Sequence, residues 1–257
     1  MKLIRARTPL APILREPRAP ATQESQLLFG HVAEMVATEG AWLRVRGADA
    51  YEGWAHKGYV EPAENTESAD RTIPWGWETL GEVSLGGVMR NEHGVTVDLP
   101  LGAIVGGGKC IGGRSADLVK RRELFPTDAD AIVASATGLF QGTYYQWGGI
   151  TPWGADCSGM VQSVFALHGV RLLRAAWQQA TQGVIVEGGV EALMPADLLF
   201  FSDREDGHIT HVAMAVTSKR LVHLAIGRGG YCVESLEKPD EYVGPLLMRF
   251  RFARRIL

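Results

Sequence analysis

Apolar positions change their spacing about half-way along the chain. In the first half, short apolar runs alternate with turn residues, a pattern typical of the short strands of a small β-barrel or sandwich. These runs cover residues 32–36, 42–45 and 53–56, followed by a second block at 82–90, 95–99 and 103–105. The first half is therefore predicted to be β-rich, with a break at Pro100, since proline cannot donate to a sheet ladder.

Three stretches of the first half lack this pattern. Residues 1–24 are rich in Pro, Arg and Ala and are predicted to form an arm or an irregular first strand. The polar, acidic residues 62–70 are predicted to form a linker. The glycines at 106–108 and 112–113 invite comparison with a phosphate-binding loop, but the Gly-Lys-Ser/Thr ending is missing and no helix is predicted to follow directly. A second barrel is the favoured interpretation of this block.

Helical spacing of apolar residues begins in the second half. Thr127 can cap a helix, with Asp130 placed to reach back to the cap. The apolar face of this helix would consist of Ile132, Ala136, Leu139 and Phe140. Further helices are predicted over 156–168 and 174–182. Strands are predicted at 184–186, 198–201, 211–216, 221–225, 231–234 and 246–253. Helices followed by a run of strands predict an α+β domain.

Composition narrows the expected partners. A formal net charge of -3 over 257 residues gives no basic surface, so nucleic acid is not an expected partner. No apolar run is long enough to span a bilayer. The basic N-terminus lacks the apolar segment of a secretory signal, which leads us to expect a cytoplasmic protein. Cys110 and Cys232 lie in strand-like surroundings and are interpreted as structural thiols, since a reducing compartment disfavours a disulfide between them.

The remaining cysteine, Cys157, lies where a glycine-rich loop meets a helical pattern. Asp156 is a preferred N-cap residue, which places Cys157 in the first turn of the helix. Unpaired backbone N–H groups and the helix dipole stabilise a thiolate there, and the thiolate is the reactive form of cysteine. A buried thiol that happens to begin a helix is the alternative. The loop and the flanking Asp156 and Ser158 favour a nucleophile, with a thiolate expected below the unperturbed pKa of about 8.5.

A cysteine nucleophile needs a base, and a third group that orients the base. His211 and His223 lie in apolar strand patterns downstream of Cys157 and are the candidates. A histidine in such a strand is otherwise most often a hydrogen-bonded core residue. A zinc site that joins His208 to these residues is the competing chemistry, but the spacing matches no common zinc pattern. Neither a metal nor another cofactor is expected.

The two histidines can serve one cysteine only if they share a face of the sheet. Side chains alternate between the two faces along a strand. In an antiparallel hairpin the residue numbers of any two facing residues add to the same total, and this total must be even for residues 211 and 223 to lie on one face. We therefore predict a loop with an odd number of residues, such as 217–219. His211 would then face Ala225, with His223 as its diagonal neighbour. A two- or four-residue loop without a bulge would place the histidines on opposite faces.

Together these motifs resemble those of a known family. Tyr145-x-Trp-Gly-Gly, Asp156-Cys-Ser-Gly, and a later Asp-Leu-x-Phe-Phe and His-Val run are similar to those of the NlpC-type peptidases, the papain-like cell-wall peptidases of bacteria. This resemblance extends from Tyr145 to the C-terminus and implies a papain-like cysteine peptidase domain over 127–257. The segment Tyr51-Glu-Gly-Trp resembles the closing strand of a bacterial SH3-like barrel. It implies one or two such barrels, over 1–62 and 63–126.

The resemblance also implies roles for the candidate residues. By position, Cys157 would be the nucleophile, His211 the base and His223 the group that orients His211. Tyr145, with the backbone N–H of Cys157, would polarise the scissile carbonyl. Trp147 would either stack on the substrate or pack in the core.

The branch of the family that carries SH3-like barrels implies a substrate. Its members cleave the bond between γ-D-glutamate and the diamino acid of free murein peptides and require a free L-Ala amine, as in wall-peptide recycling. Asp156 and Glu52 are the candidate partners of that amine, and Ser158 is a further candidate substrate contact. An amidase or acyltransferase on another substrate, and a non-catalytic murein-binding module, are the alternatives.

Some positions depart from the family pattern. Ala175 and Ala176 stand where polar groups are common, which puts substrate preference in doubt. Ala196 and Ala213 stand where glycine is usual. None of these changes removes a group that the proposed chemistry needs.

Overall fold

The computed structural model describes residues 2–63, 82–90, 94–105 and 110–257, except for the side chain of Cys110. The glycines 106–108 and most of the predicted linker, 64–70, lie outside the described residues. The chain forms two compact units. The first contains Met1–Leu124 and Trp147–Gly149, and the second contains Phe125–Gln146 and Ile150–Leu257. The further division at residue 62 stays a prediction.

A seven-stranded antiparallel sheet opens the first unit, in the order β3-β2-β6-β5-β4-β1-β7. Its side chains alternate between solvent and a core that includes Ile4, Ile13 and Val45. The expectation of an arm or an irregular first strand at 1–24 is corrected, because these residues form three strands that pair within the sheet, β1, β2 and the start of β3, with one register shift between Ile13 and Leu14 of β2. The strands are β1 (Leu3–Ala6), β2 (Leu10–Leu14), β3 (Gln23–Leu28), β4 (Val32–Glu39), β5 (Trp42–Arg46), β6 (Glu52–His56) and β7 (Val60–Pro62).

A second, four-stranded sheet in the same unit has β8 at its centre, paired with β9, β10 and β11. The Ile104 N–H donates to the Phe29 carbonyl at 2.8 Å and joins the two sheets. Helix α1 follows and was not predicted; Asp117 accepts from the Lys120 N–H at its start. The elements are β8 (Glu82–Arg90), β9 (Thr96–Asp98), β10 (Ile104–Val105), β11 (Cys110–Ala116) and α1 (Leu118–Leu124).

Helices precede a six-stranded sheet in the second unit, with the order β14-β19-β15-β16-β17-β18. Helix α3 packs on β16 and β17, and the α+β prediction is confirmed. The elements are α2 (Ala129–Leu139), β12 (Ile150–Thr151), β13 (Gly154–Ala155), α3 (Cys157–Leu167), α4 (Ala176–Gln179), β14 (Val184–Ile185), β15 (Leu198–Phe201), β16 (His211–Thr217), β17 (Arg220–Ala225), β18 (Gly230–Ser235), α5 (Val243–Met248) and β19 (Phe250–Arg255).

The core of the second unit is built around β15, whose four residues are all buried. Leu199 and Phe201 join a cluster with Leu221 and Ala253. Leu198 and Phe200 point to the opposite face and are equally buried, so both faces of the strand are covered. Each such side chain stabilises the fold by about 1.5–3 kcal/mol, which makes the sheet a firm support for the residues it carries.

Two predicted helix boundaries are corrected by capping contacts. Helix α2 is capped by Asp128, which accepts from the Ala131 N–H at 2.9 Å, rather than by Thr127. Thr127 instead donates to the His168 carbonyl at 2.6 Å. The helix predicted over 174–182 is limited to α4, and Arg174 lies outside it as a buried side chain.

The predicted strand at 246–253 is wrong in its first half. Asp240 accepts from the Val243 N–H at 2.8 Å, and helix α5 begins there. The strand β19 starts only at Phe250. None of the helices in the described ranges combines the length and hydropathy needed to cross a bilayer.

Candidate active site

Cys157 is the first residue of α3, as predicted. Asp156 has extended backbone angles, and its side chain accepts from the Gly159 N–H at 2.7 Å, which makes it the N-cap. The thiol of Cys157 is buried, with 5% of the residue exposed. It lies within reach of the backbone N–H groups of Val212 and Ser158. Since Val212 follows His211 directly, this contact brings the thiol to the start of β16.

The expectation of a depressed thiol pKa is contradicted. Burial raises the pKa of Cys157 to about 12, and the negative charge of Asp156 adds to this effect. The N–H groups of Val212 and Ser158 and the charge of Arg174 act in the opposite direction but do not outweigh burial. In the free enzyme the residue is therefore a neutral thiol, and a base must take its proton during reaction.

His211 and His223 share a face of the sheet, as predicted. Met214 faces Val222 and Ala215 faces Leu221. The residue numbers in each of these pairs add to the same even total, which is the condition for the two histidines to lie on one face. The predicted odd-numbered loop is wrong: Thr217 faces Arg220 across a two-residue turn. The register shifts between Ala215 and Thr217, and this bulge restores the even sum.

The two imidazoles are hydrogen-bonded, with Nε2 of His211 2.9 Å from Nδ1 of His223. His211 is half-buried and His223 is fully buried. Burial, together with the charge that His223 can carry, lowers the pKa of His211, which is therefore neutral at physiological pH. The contact with His223 occupies Nε2 and leaves Nδ1 of His211 as the nitrogen that can accept a proton.

Tyr145 is held beside the cysteine by backbone contacts. Its N–H donates to the Gly229 carbonyl at 3.0 Å, and Tyr144 forms a bridge with Gly230. Burial, followed by the charges of Cys157 and Asp156, raises the pKa of the Tyr145 phenol. The phenol therefore keeps its proton and can donate a hydrogen bond to an oxyanion.

A buried polar cluster supports the start of α3. Arg174 donates to both carboxylate oxygens of Asp156, at 3.0 and 2.7 Å, and to the Ser158 hydroxyl at 3.0 Å. The Ser158 hydroxyl in turn donates to Asp156 at 3.1 Å. Arg174 is therefore a support of the site that sequence reasoning missed. The available signal was a cation seven residues beyond the end of α3, between Leu172-Leu173 and Ala175-Ala176.

Comparison with known proteins supports the same interpretation. Residues 142–243 match the NlpC/P60 family profile. A probable endopeptidase of Haemophilus influenzae is 33% identical over 115 residues, which cover 44% of this chain and 70% of the relative. The chain belongs to the NlpC/P60 family.

Two further relatives extend the similarity over both units. A γ-D-glutamyl-L-lysine dipeptidyl-peptidase of Bacillus cereus is 26% identical over 249 residues, covering 86% of this chain and 74% of the relative. The crystal structure of a Bacillus cereus NlpC/P60 family protein has a TM-score of 0.76 at 19% identity and covers 99% of each chain. The fold is therefore that of a papain-like NlpC/P60 domain preceded by one or two SH3-like barrels. The protein is a cysteine peptidase of this cell-wall family.

Two predicted substrate residues of this NlpC/P60 protein lie in the first unit. Glu52 begins β6, and its carboxylate pairs with Arg44 at 2.9 Å and with Arg46 at 2.6 Å. Trp147 is 53% exposed, so the alternative that it packs in the core is wrong. Its backbone carbonyl accepts from the Gln23 side chain at 3.0 Å. Contact of either residue with substrate stays a prediction.

Among the described residues, no group of three or more His, Cys, Asp and Glu side chains has an arrangement that could hold a metal ion. His208 instead packs against the Trp177 ring, 6.0 Å between ring centroids. The structure thus brings together Cys157, His211, His223, Tyr145, Asp156 and Ser158.

Proposed function

We propose that this protein hydrolyses the bond between γ-D-glutamate and the diamino acid of murein peptides that carry a free N-terminal L-Ala. The observation that carries the proposal is the similarity to the γ-D-glutamyl-L-lysine dipeptidyl-peptidase, which covers 86% of this chain and so includes both units. A second relative of the same name, from Bacillus subtilis, is 28% identical over 78% of the chain. Such a reaction suits the recycling of free wall peptides.

The proposed first step is thioester formation. Nδ1 of His211 takes the proton of the Cys157 thiol as sulfur attacks the γ-carbonyl carbon of D-glutamate. The carbonyl π electrons move to oxygen, where the Tyr145 hydroxyl and the backbone N–H of Cys157 donate hydrogen bonds. As the tetrahedral intermediate collapses, the C–N bond breaks and protonated His211 gives its proton to the leaving amine of the diamino acid.

The second step is hydrolysis of the thioester. Nδ1 of His211 takes a proton from water as the water oxygen attacks the thioester carbonyl. The C–S bond then breaks, and the proton on His211 returns to sulfur. His223 keeps the His211 ring in the orientation that both steps need, through the 2.9 Å hydrogen bond between the two rings.

The proposed amine site rests on carboxylates. A cationic amine forms strong, charge-assisted hydrogen bonds with carboxylate groups. The Asp156 carboxylate is already engaged by Arg174, Ser158 and the Gly159 N–H, so its geometry favours support of α3 over substrate binding. Glu52 is also engaged, by Arg44 and Arg46, but it is the preferred candidate because its side chain is 27% exposed, against 9% for that of Asp156.

Mass spectrometry of a tripeptide digest tests the proposal. Wild-type protein incubated with L-Ala-γ-D-Glu-L-Lys, or with the meso-diaminopimelate tripeptide, should release L-Ala-γ-D-Glu and the free diamino acid. Cys157→Ala should release neither. Tripeptide left intact by the wild type would reject the substrate assignment and favour an amidase or acyltransferase on another substrate. Equal cleavage of N-acetylated and free tripeptide would reject the amine requirement and the recycling role with it. The expected cytoplasmic location is checked by cell fractionation.

A further inference from the structure

One charged side chain is buried on the far side of His223. Glu234 lies on β18, where Leu221 faces it, so it is the diagonal neighbour of His223 on the same face. Its Oε1 is 3.5 Å from Nε2 of His223. His223 is fully buried, and Nε2 has no closer polar partner among the described residues. The carboxylate is therefore the group that the second nitrogen of this imidazole faces.

Arg228 holds Glu234 in place and in its charged form. The guanidinium donates to both carboxylate oxygens of Glu234, at 2.7 and 3.0 Å, and also binds Asp240. It lies over the Tyr242 ring, 4.5 Å from the centroid. Burial alone would raise the pKa of Glu234, but the hydrogen bonds from His223 and Arg228 lower it to about 2. A negative charge is therefore present beside His223 at every working pH.

This charge decides which nitrogen of His223 carries the proton. An ionised carboxylate accepts hydrogen bonds and donates none, so it favours N–H rather than a lone pair on the nitrogen that faces it. His223 then carries its proton on Nε2 and presents a lone pair at Nδ1. His211 must donate its Nε2–H across the 2.9 Å contact, which leaves Nδ1 of His211 unprotonated. Only this form of His211 can accept the proton of Cys157.

We propose that Glu234, held by Arg228, is a positioning residue that fixes the tautomers of His223 and His211 and so keeps His211 ready as a base. This inference rests on the proposed roles of Cys157, His211 and His223. In the opposite arrangement, Nδ1–H of His223 would donate to His211 and a lone pair at Nε2 would face the carboxylate. The proton of neutral His211 would then be on Nδ1, where it blocks transfer from the thiol. When His211 becomes an imidazolium during reaction, Glu234 also stabilises that charge through His223.

Tautomers can be measured without any turnover. Two-bond proton–nitrogen NMR of ¹⁵N-histidine-labelled wild-type protein, assigned with His223→Gln and His211→Gln variants, reports the protonated nitrogen of each ring. We expect both rings as Nε2–H tautomers near neutral pH. In Glu234→Gln the negative charge is lost while the shape is kept, and His223 should become a mixture of tautomers.

Kinetics on the tripeptide provide the second readout. Glu234→Gln should lower kcat by about 10- to 100-fold with little change in KM, by analogy with the loss of an outer hydrogen-bond partner of a metal-bound imidazole. Asp197→Asn is the matched control. Asp197, directly before β15, accepts two hydrogen bonds from Arg255 of β19, at 2.8 and 2.7 Å, as Glu234 does from Arg228. This control should be destabilised without the loss of kcat.

The pH profile separates a charge effect from a loss of structure. Loss of the Glu234 charge removes a group that favours the protonated histidine pair, so the acid limb of kcat/KM should move to lower pH in Glu234→Gln and stay in place in Asp197→Asn. Among the described residues, the charged and titratable groups near the pair and its neighbours include Cys157, Tyr145, Asp156, Arg174, Arg228, Cys232, Asp240 and Tyr242.

The outcomes distinguish this inference from the function it rests on. If the wild type cleaves no tripeptide, the proposed function fails, while the tautomers of the wild type still test the inference. An Nδ1–H tautomer of His223 in the wild type would overturn it. So would a Glu234→Gln enzyme with unchanged tautomers and kcat. If Glu234→Gln does not fold, the wild-type tautomers decide.

Discussion

At the scale of single residues, burial and helix position act on Cys157 in opposite directions. The start of α3 offers backbone N–H groups to a thiolate, whereas exclusion of water favours the neutral thiol. The pKa of about 12 indicates that exclusion of water dominates in the free enzyme. The proton must then leave as substrate binds or reacts, and its transfer to His211 is the proposed first step.

Alkylation of the free enzyme measures this balance. Because only the thiolate reacts, the rate of labelling of Cys157 by iodoacetamide should rise steadily from pH 6 to pH 10, without a plateau near neutrality. Cys157 in urea-unfolded protein is the control and should follow a pKa of about 8.5. A plateau by pH 7 in the folded enzyme would mean that Cys157 and His211 already form an ion pair.

Ala196 stands where the family usually has glycine, and its backbone is strained. Its φ is +66°, in the left-handed region that disfavours a side chain, directly before Asp197. Ala196→Gly should therefore raise the free energy of unfolding by about 1 kcal/mol. Ala213 is the matched position, since glycine is also usual there.

Ala213 lies buried in β16, outside the left-handed region, so Ala213→Gly should lower the free energy of unfolding. Urea unfolding of both variants measures whether Ala196→Gly raises, and Ala213→Gly lowers, the free energy of unfolding. A loss of stability in Ala196→Gly would contradict the strain argument.

At the scale of elements, the strands of the site could be predicted from the sequence because apolar runs and turns define them locally. β15, β16 and β17 lie within one residue of their predicted ends. The shared face of the histidines was the condition for both to serve Cys157, and an odd-numbered loop was the predicted way to meet it. The bulge near Val216 meets the same condition with a two-residue turn, and the sequence does not distinguish the two solutions. Only the backbone reveals which residue a strand leaves unpaired.

Contacts between distant segments could not be predicted in this way. A glutamate in a strand pattern is most often solvated, so Glu234 carried no signal until β17 and β18 were paired. The alternation of 248–252 suggested a strand, but α5 occupies Val243–Met248, and the Val243 N–H at its first residue donates to Asp240. Arg174 reaches back to Asp156 across 18 residues, a pairing that spacing alone does not specify.

Gly230 joins β18 to the segment that carries Tyr145. A Cβ at this position would lie 2.2 Å from the Thr143 carbonyl oxygen, and the residue has a φ of +156°. The Tyr231 N–H donates to that same carbonyl at 2.9 Å. Gly230→Ala should therefore push residues 143–145 away from β18 and lower kcat by displacing the Tyr145 hydroxyl.

The neighbouring glycine provides the control for this prediction. Gly229 also has a left-handed φ, of +73°, but a Cβ there would meet no atom within 4 Å. Gly229→Ala should cost about 1–2 kcal/mol of stability while kcat stays close to that of the wild type. Kinetics and urea unfolding of both variants separate backbone strain from displacement. Equal kcat in the two variants would contradict the role given to the close approach at Gly230.

At the scale of the whole molecule, the question is what the first unit adds to a peptidase site that lies in the second. The full-length relatives named as dipeptidyl-peptidases cover both units, whereas the Haemophilus influenzae endopeptidase matches 44% of this chain. We propose that the first unit supplies the preference for peptides with a free amino terminus. Glu52 is the proposed group.

Glu52 can be tested against a carboxylate in the same ion-pair network. Arg46 pairs with Glu52 and also with Glu34, whose carboxylate is 2.9 Å from its guanidinium. Glu34→Gln and Glu52→Gln therefore each remove one negative charge beside the same arginine. If Glu52 binds the amine, Glu52→Gln should raise KM and lower kcat/KM for the free tripeptide, because an ammonium loses a charge-assisted hydrogen bond. Glu34→Gln should leave both near the wild-type values.

The N-acetylated tripeptide completes the test, because it has no ammonium group for Glu52 to bind. It should be a poor substrate for the wild type, and Glu52→Gln should change its cleavage little. A selective loss on the free peptide would then assign the amine to Glu52 rather than to Asp156. If both glutamate variants lose kcat/KM equally, the effect belongs to the stability of the barrel, and amine recognition must come from another group.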